Sequence, residues 1–501
     1  MGCLLGIDLG TSSLKSVLIT EDGQVKAQSA REYQFASPRN GEAEHDPGEW
    51  WNACCEAVQE VLELSKTAKE EVKGLSFSGQ MHGAVMLDQE LKPVRPAILH
   101  CDARSYIQVE KIRQIIGEEK IRQILMNPVY TGFLLPSLLW VKENEPENFH
   151  KIAHVMLPKD YLKLQMTGEI STDYSDASAT LAFDLKNNCW SEEILKMLGI
   201  PKEWFPVCYY TDTPTEHVCR AAALQTGLSE QTIVTAGGGD QVMQGIGNGV
   251  VKEGDACVNI GTSGQVSFQS GIPILNPALN TNTFCGYKKG RWFTMGAIMN
   301  AGLSYRWFNN LFENTDFQRM NEAIAGVKPG SGGVIFLPYL NGERTPHLNP
   351  NISGVFAGLN LNTGRAEMAR AVMEGVSFAL YQCMEVCREL GLTAEIMTAS
   401  GGAAKSKEWL KIQADIYNVP LRVADTKEQA GLGAAIAAGV GAGVYKDMEE
   451  GCRRTVRYKE FIAEPDQENH KIYEEYYGLF KEMYQESSKV IEKITLAGRR
   501  D

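Results

Sequence analysis

The 501-residue chain is expected to fold as two α/β domains facing each other across a ligand cleft. Three observations carry that expectation. The length exceeds what one hydrophobic core ordinarily organises. The stretch GIDLGTSSLKSVLI (6–19) reads as strand, tight turn of small residues, strand, and ACVNIGTSGQVSF (256–268) repeats the plan in the second half. The elements that follow the first hairpin give the order β-β-β-α-β, that of a ribonuclease H-like half-domain.

In the first hairpin, Gly10, Thr11, Ser12 and Ser13 are small enough for a phosphate to approach the backbone, with turn N–H groups and hydroxyls as donors. Asp8 ends the strand and directs a carboxylate at the same place. A carboxylate beside a phosphate cradle is costly unless a cation sits between them, so the stretch implies a Mg²⁺-nucleotide. Taken alone, the motif is equally an ordinary glycine-containing hairpin. In the second copy Gly261, Thr262 and Ser263 replace Gly10, Thr11 and Ser12, and Asn259 replaces Asp8. Only the first copy is therefore expected to handle metal.

Between the hairpins, EDG (21–23) turns the chain into a third strand over 24–33. A helix then opens with Asp46 as N-cap, Pro47 at its first position and Glu49 closing a capping box. Its Trp50, Cys54, Ala57, Val58, Val61 and Leu62 recur at helical spacing and face the sheet. The next strand, 72–79, ends in SGQMHG, at the strand end where α/β sheets bind ligands. Gln80 and His82 can hydrogen-bond hydroxyls and Met81 offers an apolar face; a satisfied loop histidine is the other reading. Asp102 and Arg104 fall in the following connection, with open roles. The segment 106–226 reads as helices with charged outer faces, and SDASATLAFDL (175–185) as a cap over the cleft.

TIVTAGGGDQVMQGIGNGV (232–250) runs from a strand through three glycines into Asp240, Gln241 and a helix. An N-cap and a catalytic role are both open for Asp240. In the second half a strand leads to a polar loop with Glu343, Arg344 and His347, and a long helix over about 365–390 lines up Met368, Val372, Val376, Leu380, Cys383 and Cys387. A strand, glycine turn and helix follow, where Gly401, Gly402 and Ala403 leave room for a flat ring or a phosphate. The expected domains are 1–244 and 245–445, with a helical segment 446–501 folding back on the domains, in particular onto the first.

The net charge of -13 and the lack of a Lys/Arg-rich run make nucleic acid and anionic membrane poor partners. The longest small-apolar run, 430–444, is Gly-rich and too short to span a bilayer. The chain opens directly on a strand, without a secretory leader, so its twelve cysteines read as reduced thiols of a cytoplasmic protein. Walker-type and protein-kinase signatures are lacking.

GIDLGTSSLKSVLI, SGQMHG, LPKDYLKLQMTGE, SDASAT, AGGGDQ, NIGTSG, PYLNGERTPH and SGGAAKS fall in the order and spacing of the FGGY carbohydrate kinases, which the chain resembles to about residue 490. GVFAGL, followed by Glu367, Met368, Ala371, Val372 and Glu374, is similar to that family's second signature. The resemblance implies a duplicated actin/Hsp70-type fold with a nucleotide and sugar cleft between the domains. It also implies ATP and Mg²⁺ as cofactors and transfer of the γ-phosphoryl to a sugar hydroxyl. Asp240 would accept the hydroxyl proton, and Asp8 would act near metal and phosphates. Met81 and His82, together with Gln80, Asp102 and Gln241, would contact the sugar. Gly10, Thr11, Ser12, Lys15, Gly261, Thr262, Gly401, Gly402 and Ala403 would line the nucleotide site.

Within the family, QMHG and the text around KDYL and GERTPH most resemble the xylulokinases, which implies D-xylulose; another ketose, a polyol or gluconate is the alternative. A homodimer is expected from the family. Three departures touch the sugar pocket or its surroundings: Ser137 where the family's first signature has lysine, His100 and Cys101 where xylulokinases have Trp-Asn before Asp102, and Gln241 where Asn is common. A rival from another class, an actin/Hsp70-like ATPase switch, shares the hairpins but needs a peptide-binding appendage or polymer contacts, for which little chain remains.

Overall fold

The computed structural model describes residues 2–312 and 317–498; positions 1, 313–316 and 499–501 of the expected domain ranges lie outside the described residues. Strands β1 (Cys3–Leu9), β2 (Ser13–Thr20), β3 (Val25–Glu32), β4 (Val72–Gly79), β5 (Pro214–His217), β6 (Ile233–Thr235) and β7 (Gly238–Gly239) form one seven-stranded sheet. β1, β2 and β3 meander antiparallel, while β4 lies parallel to β1 and receives β6 and β7, also parallel. The register sets Asp8 beside Lys15 and Ser78, and Gly239 beside Gly79. One edge of the sheet thus gathers the ends of β1, β4 and β7.

Helix α1 (Pro47–Ser65) covers one face, burying Trp50, Cys54, Ala57, Val58 and Val61 in a core with Leu5, Ile7 and Leu18. Asp46 caps it by accepting from the Gly48 amide at 2.8 Å. Glu49 does not close the expected capping box; its carboxylate lies 3.4 Å from His45 Nε2. Behind β4 runs the helix α2 (Pro158–Thr167), α3 (Tyr174–Ser178) lies on β7, and α4 (Asp240–Gly247) leaves β7 directly.

A second sheet repeats the plan with β8 (Ala256–Ile260), β9 (Gly264–Ser270), β10 (Asn282–Cys285), β11 (Trp292–Ile298), β12 (Met397–Gly401) and β13 (Leu421–Val423) in the order β10–β11–β9–β8–β12–β13. β8 and β9 form the hairpin, and β12 lies parallel to β8 as β4 does to β1. The second turn, 261–263, is one residue shorter than the first, 10–13. Helices α5 (Gly302–Asn310), α6 (Arg365–Glu389) and α7 (Lys407–Tyr417) enclose its core, with Val372, Val376, Leu380, Cys383 and Cys387 of α6 fully buried.

Two sequence expectations are corrected here. The segment containing α3 is not a cap: Ser175, Asp176, Ala177 and Ser178 are buried between β7 and β10. The final helix, α9 (Gln467–Gly498), packs on the second domain and not the first. It buries Tyr473, Tyr477, Phe480 and Ile491 in the second core, and Tyr473 Oη donates to Glu374 at 2.8 Å. The first sheet is instead covered by a helix from the far half of the chain, α8 (Gln429–Gly441), which lies on β1, β4 and α4. The approach is backbone to backbone. A Cβ on Gly6 would stand 1.9 Å from Gly431 O, and one on Gly433 would stand 1.9 Å from Met243 O. The expected boundary between residues 244 and 245 falls inside α4. Among the described residues no helix is long and apolar enough to cross a membrane.

Gly433→Ala should force α8 and α4 apart and lower the thermal midpoint by several degrees, since overpacking costs about 1–3 kcal/mol or more. Gly478→Ala, on α9 where a Cβ meets nothing within 4 Å, should leave the midpoint unchanged or slightly raised. Paired thermal melts of the two variants check the contact.

Candidate active site

Two cavities meet at the end of β8. The smaller, about 300 Å³, is walled by Met81, His82, His100, Tyr130, Thr131, Phe133, Asp240, Gln241, Asn259, Ser263, Gln265, Asn282, Phe284 and Arg344. Asp240 is the first residue of α4, whose N-cap is Gly239. Burial and the charge of Asp8 push the Asp240 carboxyl up to about 7, against hydrogen bonds from Gln241. A carboxylate so placed titrates in the range a general base needs. Gln241 in turn accepts from Gln265 Nε2. Asp8 accepts from Ser78 Oγ at 2.6 Å, and burial raises its pKa despite that bond and nearby Lys15.

His82 sits in the left-handed region at φ +71°, costly for a non-glycine residue and frequent where a site holds a side chain in place. Its Nδ1 lies 2.8 Å from the Ala179 carbonyl and its ring 3.9 Å from that of Phe133. Burial pushes its pKa down to about 3, so the ring is neutral. The carbonyl can only accept, so Nδ1 carries the proton and Nε2 is left as an acceptor. Arg344 stands where this pocket opens into a wider cleft of about 850 Å³, the two sharing His100, Tyr130, Thr131 and Arg344. Beside it, Glu343 Oε1 accepts from the amides of Met299 (2.9 Å) and Arg344 (2.7 Å), and burial pushes its carboxyl up to about 8.

The second cavity, about 690 Å³, is lined by Gly261, Thr262, Gly302, Tyr305, Arg306, Asn321, Met373, Gly402, Ala403, Lys405 and Trp409. Arg306 donates to Thr262 Oγ1 at 2.9 Å. One turn serves both spaces: Gly261 and Thr262 face the larger cavity, while Asn259 and Ser263 face the smaller. Gly401 stands behind, at φ +78°, where a Cβ would lie 2.5 Å from Asn259 Oδ1.

Thus the structure joins Met81, His82, Asp240 and Gln241 in one pocket, and Gly261, Thr262, Gly402 and Ala403 in the other. It does not bring Asp102 to the sugar pocket. That carboxylate is taken up by the amides of Ala43 (2.6 Å) and Arg104 (2.8 Å) and by the Arg104 guanidinium (2.7 Å), at the wall of the wider cleft. Gln80 is buried under the first turn, where its amide lies 3.4 Å from Gly10 O and from Thr11 Oγ1. Gly10, Thr11, Ser12 and Lys15 line neither cavity, and Lys15 Nζ pairs with Glu428 at 2.8 Å. Sequence reasoning missed Tyr305, Asn321, Met373 and Trp409, which no local motif announces.

It also missed a buried charge cluster. Lys159 Nζ contacts Asp160, Asp173 (2.9 Å) and Asp176 (3.2 Å), and Lys163 Nζ lies 3.6 Å from Asp160. Burial alone would discharge Lys159, but the three carboxylates hold its pKa well above the usual value.

Family models for the FGGY family of carbohydrate kinases match residues 3–247 (N-terminal domain) and 256–442 (C-terminal domain). The chain is 36% identical over 488 residues to a xylulose kinase of Staphylococcus epidermidis, covering 97% of each chain. It superposes on a xyloylose kinase from Brucella ovis with TM-score 0.92 at 32% identity, covering 97% of this chain and 100% of that one. It superposes equally, at TM-score 0.92 and 25% identity, on a gluconate kinase from Lactobacillus acidophilus, covering 98% and 99%.

The raised pKa of Asp240 predicts a pH-dependent stability. In the unfolded chain its carboxyl ionises near pH 4, whereas the folded protein holds the proton to about 7. The folded state is therefore penalised increasingly between those values, and the penalty is constant above them. Asp240→Asn removes it, so the midpoint difference, variant minus wild type, should widen from about pH 4 to 7 and then level off. In an Asp8→Asn background the widening should shrink, because the Asp8 charge contributes to the shift. Melts of the four proteins across pH make the check; a difference flat in pH would mean an ordinary carboxyl.

Proposed function

The chain belongs to the FGGY family of carbohydrate kinases, and from that premise we propose that it transfers the γ-phosphoryl of ATP to a hydroxyl of D-xylulose, giving D-xylulose 5-phosphate. The observation that carries the reading is the shared turn at the end of β8, with Asp240 in the smaller cavity and glycine-backed room in the larger. A donor bound in the larger space would present its terminal phosphate at Gly261–Ser263, next to an acceptor held against Met81 and His82. The full-length likeness to xylulose kinases supports the choice of sugar.

In this reading Asp240 accepts the proton of the attacking hydroxyl, and its place as first residue of α4 keeps the carboxylate aimed into the pocket. His82 Nε2 accepts from a sugar hydroxyl, and Met81 and Phe133 exclude water from the carbon face. Water exclusion matters because an unoccupied acceptor site would otherwise spend ATP on hydrolysis. Trp409 and Tyr305 line the room left for the nucleotide's adenine.

Asp8, a hard oxygen donor, would hold Mg²⁺ indirectly, through the phosphates of the nucleotide. Mg²⁺ commonly takes one or two carboxylates and completes its shell with phosphate and water. When bound there it would neutralise charge on the transferring group. The cytoplasm, where ATP is supplied, is the compartment of this reading.

Three measurements test the proposal. In a coupled ADP-release screen over ketoses, polyols and gluconate, D-xylulose should give the highest kcat/KM; a clear preference for gluconate or a hexulose would move the substrate while leaving a sugar kinase. Asp240→Asn should lower kcat by about 10²–10⁴ with sugar Kd little changed. Wild-type kcat/KM should fall as pH drops through about 7, since the base must be ionised. A folded Asn variant retaining more than about a tenth of wild-type kcat would remove Asp240 from the mechanism.

A further inference from the structure

The glycine run ahead of Asp240 is held by hydrogen bonds from several sides. Ala236 donates to Thr213 O (3.0 Å) and its carbonyl accepts from Lys163 Nζ (3.2 Å); Gly237 donates to Thr211 O (3.1 Å). The amide of Gly239, the N-cap residue of α4, donates to the Ser175 hydroxyl at 3.0 Å. Ser175 is completely buried, and its hydroxyl donates to Asp173 Oδ2, which also accepts from the Ser175 amide at 2.8 Å. Asp173 is held through its other oxygen by Lys159 at 2.9 Å. A continuous polar chain thus runs Lys159–Asp173–Ser175–Gly239 and ends one residue from Asp240.

The same short helix, α3, touches the other walls of the pocket. The carbonyl of Ala179, just past its end, orients His82. Ser178 Oγ donates to Ser175 O (2.8 Å) and accepts from the Cys285 amide of β10 (3.0 Å), next to pocket residue Phe284. The base, the histidine and the wall from the second half therefore share one buried support.

We propose that Ser175 is a positioning residue for the phosphoryl-transfer step, fixing the start of α4 so that the Asp240 carboxylate meets the acceptor hydroxyl, with Lys159 and Asp173 holding Ser175 in turn. The proposal rests on the reading of Asp240 as the base. Removing the Ser175 hydroxyl would orphan a buried amide and free the first residue of α4 to shift. A displacement of about 1 Å in a reacting group is worth up to about 10² in rate.

The test is a double-mutant cycle of Ser175→Ala and Asp240→Asn, measured with ATP and D-xylulose well below the thermal midpoints. Ser175→Ala alone should lower kcat about 10- to 100-fold, with sugar Kd within about twofold of wild type. In the Asp240→Asn background it should change kcat by less than about twofold, because its effect passes through that carboxylate. A merely structural role would lower the melting midpoint and leave the kcat of folded protein untouched. No loss in the wild-type background, or an equal loss in both, overturns the proposal. An Asp240→Asn protein that keeps its activity overturns instead the reading of the base, so the two failures are told apart. If Ser175→Ala does not fold, Ser175→Cys replaces it: a thiol is a weaker acceptor, so a smaller loss confined to the Asp240 background is expected, and unchanged kcat in that folded variant overturns the proposal.

Discussion

The position of Asp240 depends on three backbones in contact. Helix α8 comes from residues 429–441 yet lies on β1, so closely that Gly6 and Gly431 leave no space for a Cβ between them. On its other side, Gly433 meets Met243 O and Gln429 O meets Gly247. Helices touching through main chain have no side-chain layer to accommodate sliding. The first sheet, the junction helix that begins with Asp240, and a helix of the second half are consequently one block. The smaller cavity opens at the start of α4, so the place of Asp240 in it is tied to this block.

Around this block the charges are distributed unevenly. The cluster behind the pocket pairs Lys159 and Lys163 with Asp160, Asp173 and Asp176, all buried. Lys159 of α2 thereby ties that helix to Asp173, the N-cap of α3, and to Asp176 within it. Asp240 is the contrary case. The charge that acts on its carboxyl is that of another carboxylate, Asp8, and no cation pairs with it among the described ion pairs. Uncompensated charge is therefore left where substrate and nucleotide would meet, in keeping with the rule that perturbed carboxylates gather at functional sites.

How much of this was legible depended on whether a local pattern fixed the outcome. The two hairpins, α1 and the strand 72–79 were readable because turn chemistry, an N-cap and apolar periodicity act over a few residues. That Met81, His82 and Asp240 would share a pocket was readable because strand ends in α/β sheets converge on one edge. Helix α8 was not, since a Gly/Ala surface carries no amphipathic stripe and says nothing of its target. Nor was the Lys159 cluster: whether a lysine is solvated or buried is decided by Asp173 and Asp176, on another element. The partners of Asp102 were hidden for the same reason, because Arg104 two residues on and the Ala43 amide from far away both claim it.

The duplication itself poses the remaining question of why the two turns are not equivalent. Asp8 and Asn259 occupy matching places on β1 and β8, but Asn259 lies between the cavities, with a buried Oδ1 that has no partner among the described residues. A carboxylate there would face Asp240 across the pocket, beside an incoming phosphate chain. Like charges so close raise one another's pKa, so an aspartate at 259 would hold protons that the reaction needs removed. An amide avoids that and can donate to a phosphate oxygen from its nitrogen. A side chain at 401 would collide with that same oxygen, 2.5 Å from an added Cβ. In the proposed reading one hairpin plan thus serves two tasks through a change of a single functional group, the carboxylate copy on the metal side and the amide copy on the phosphate side.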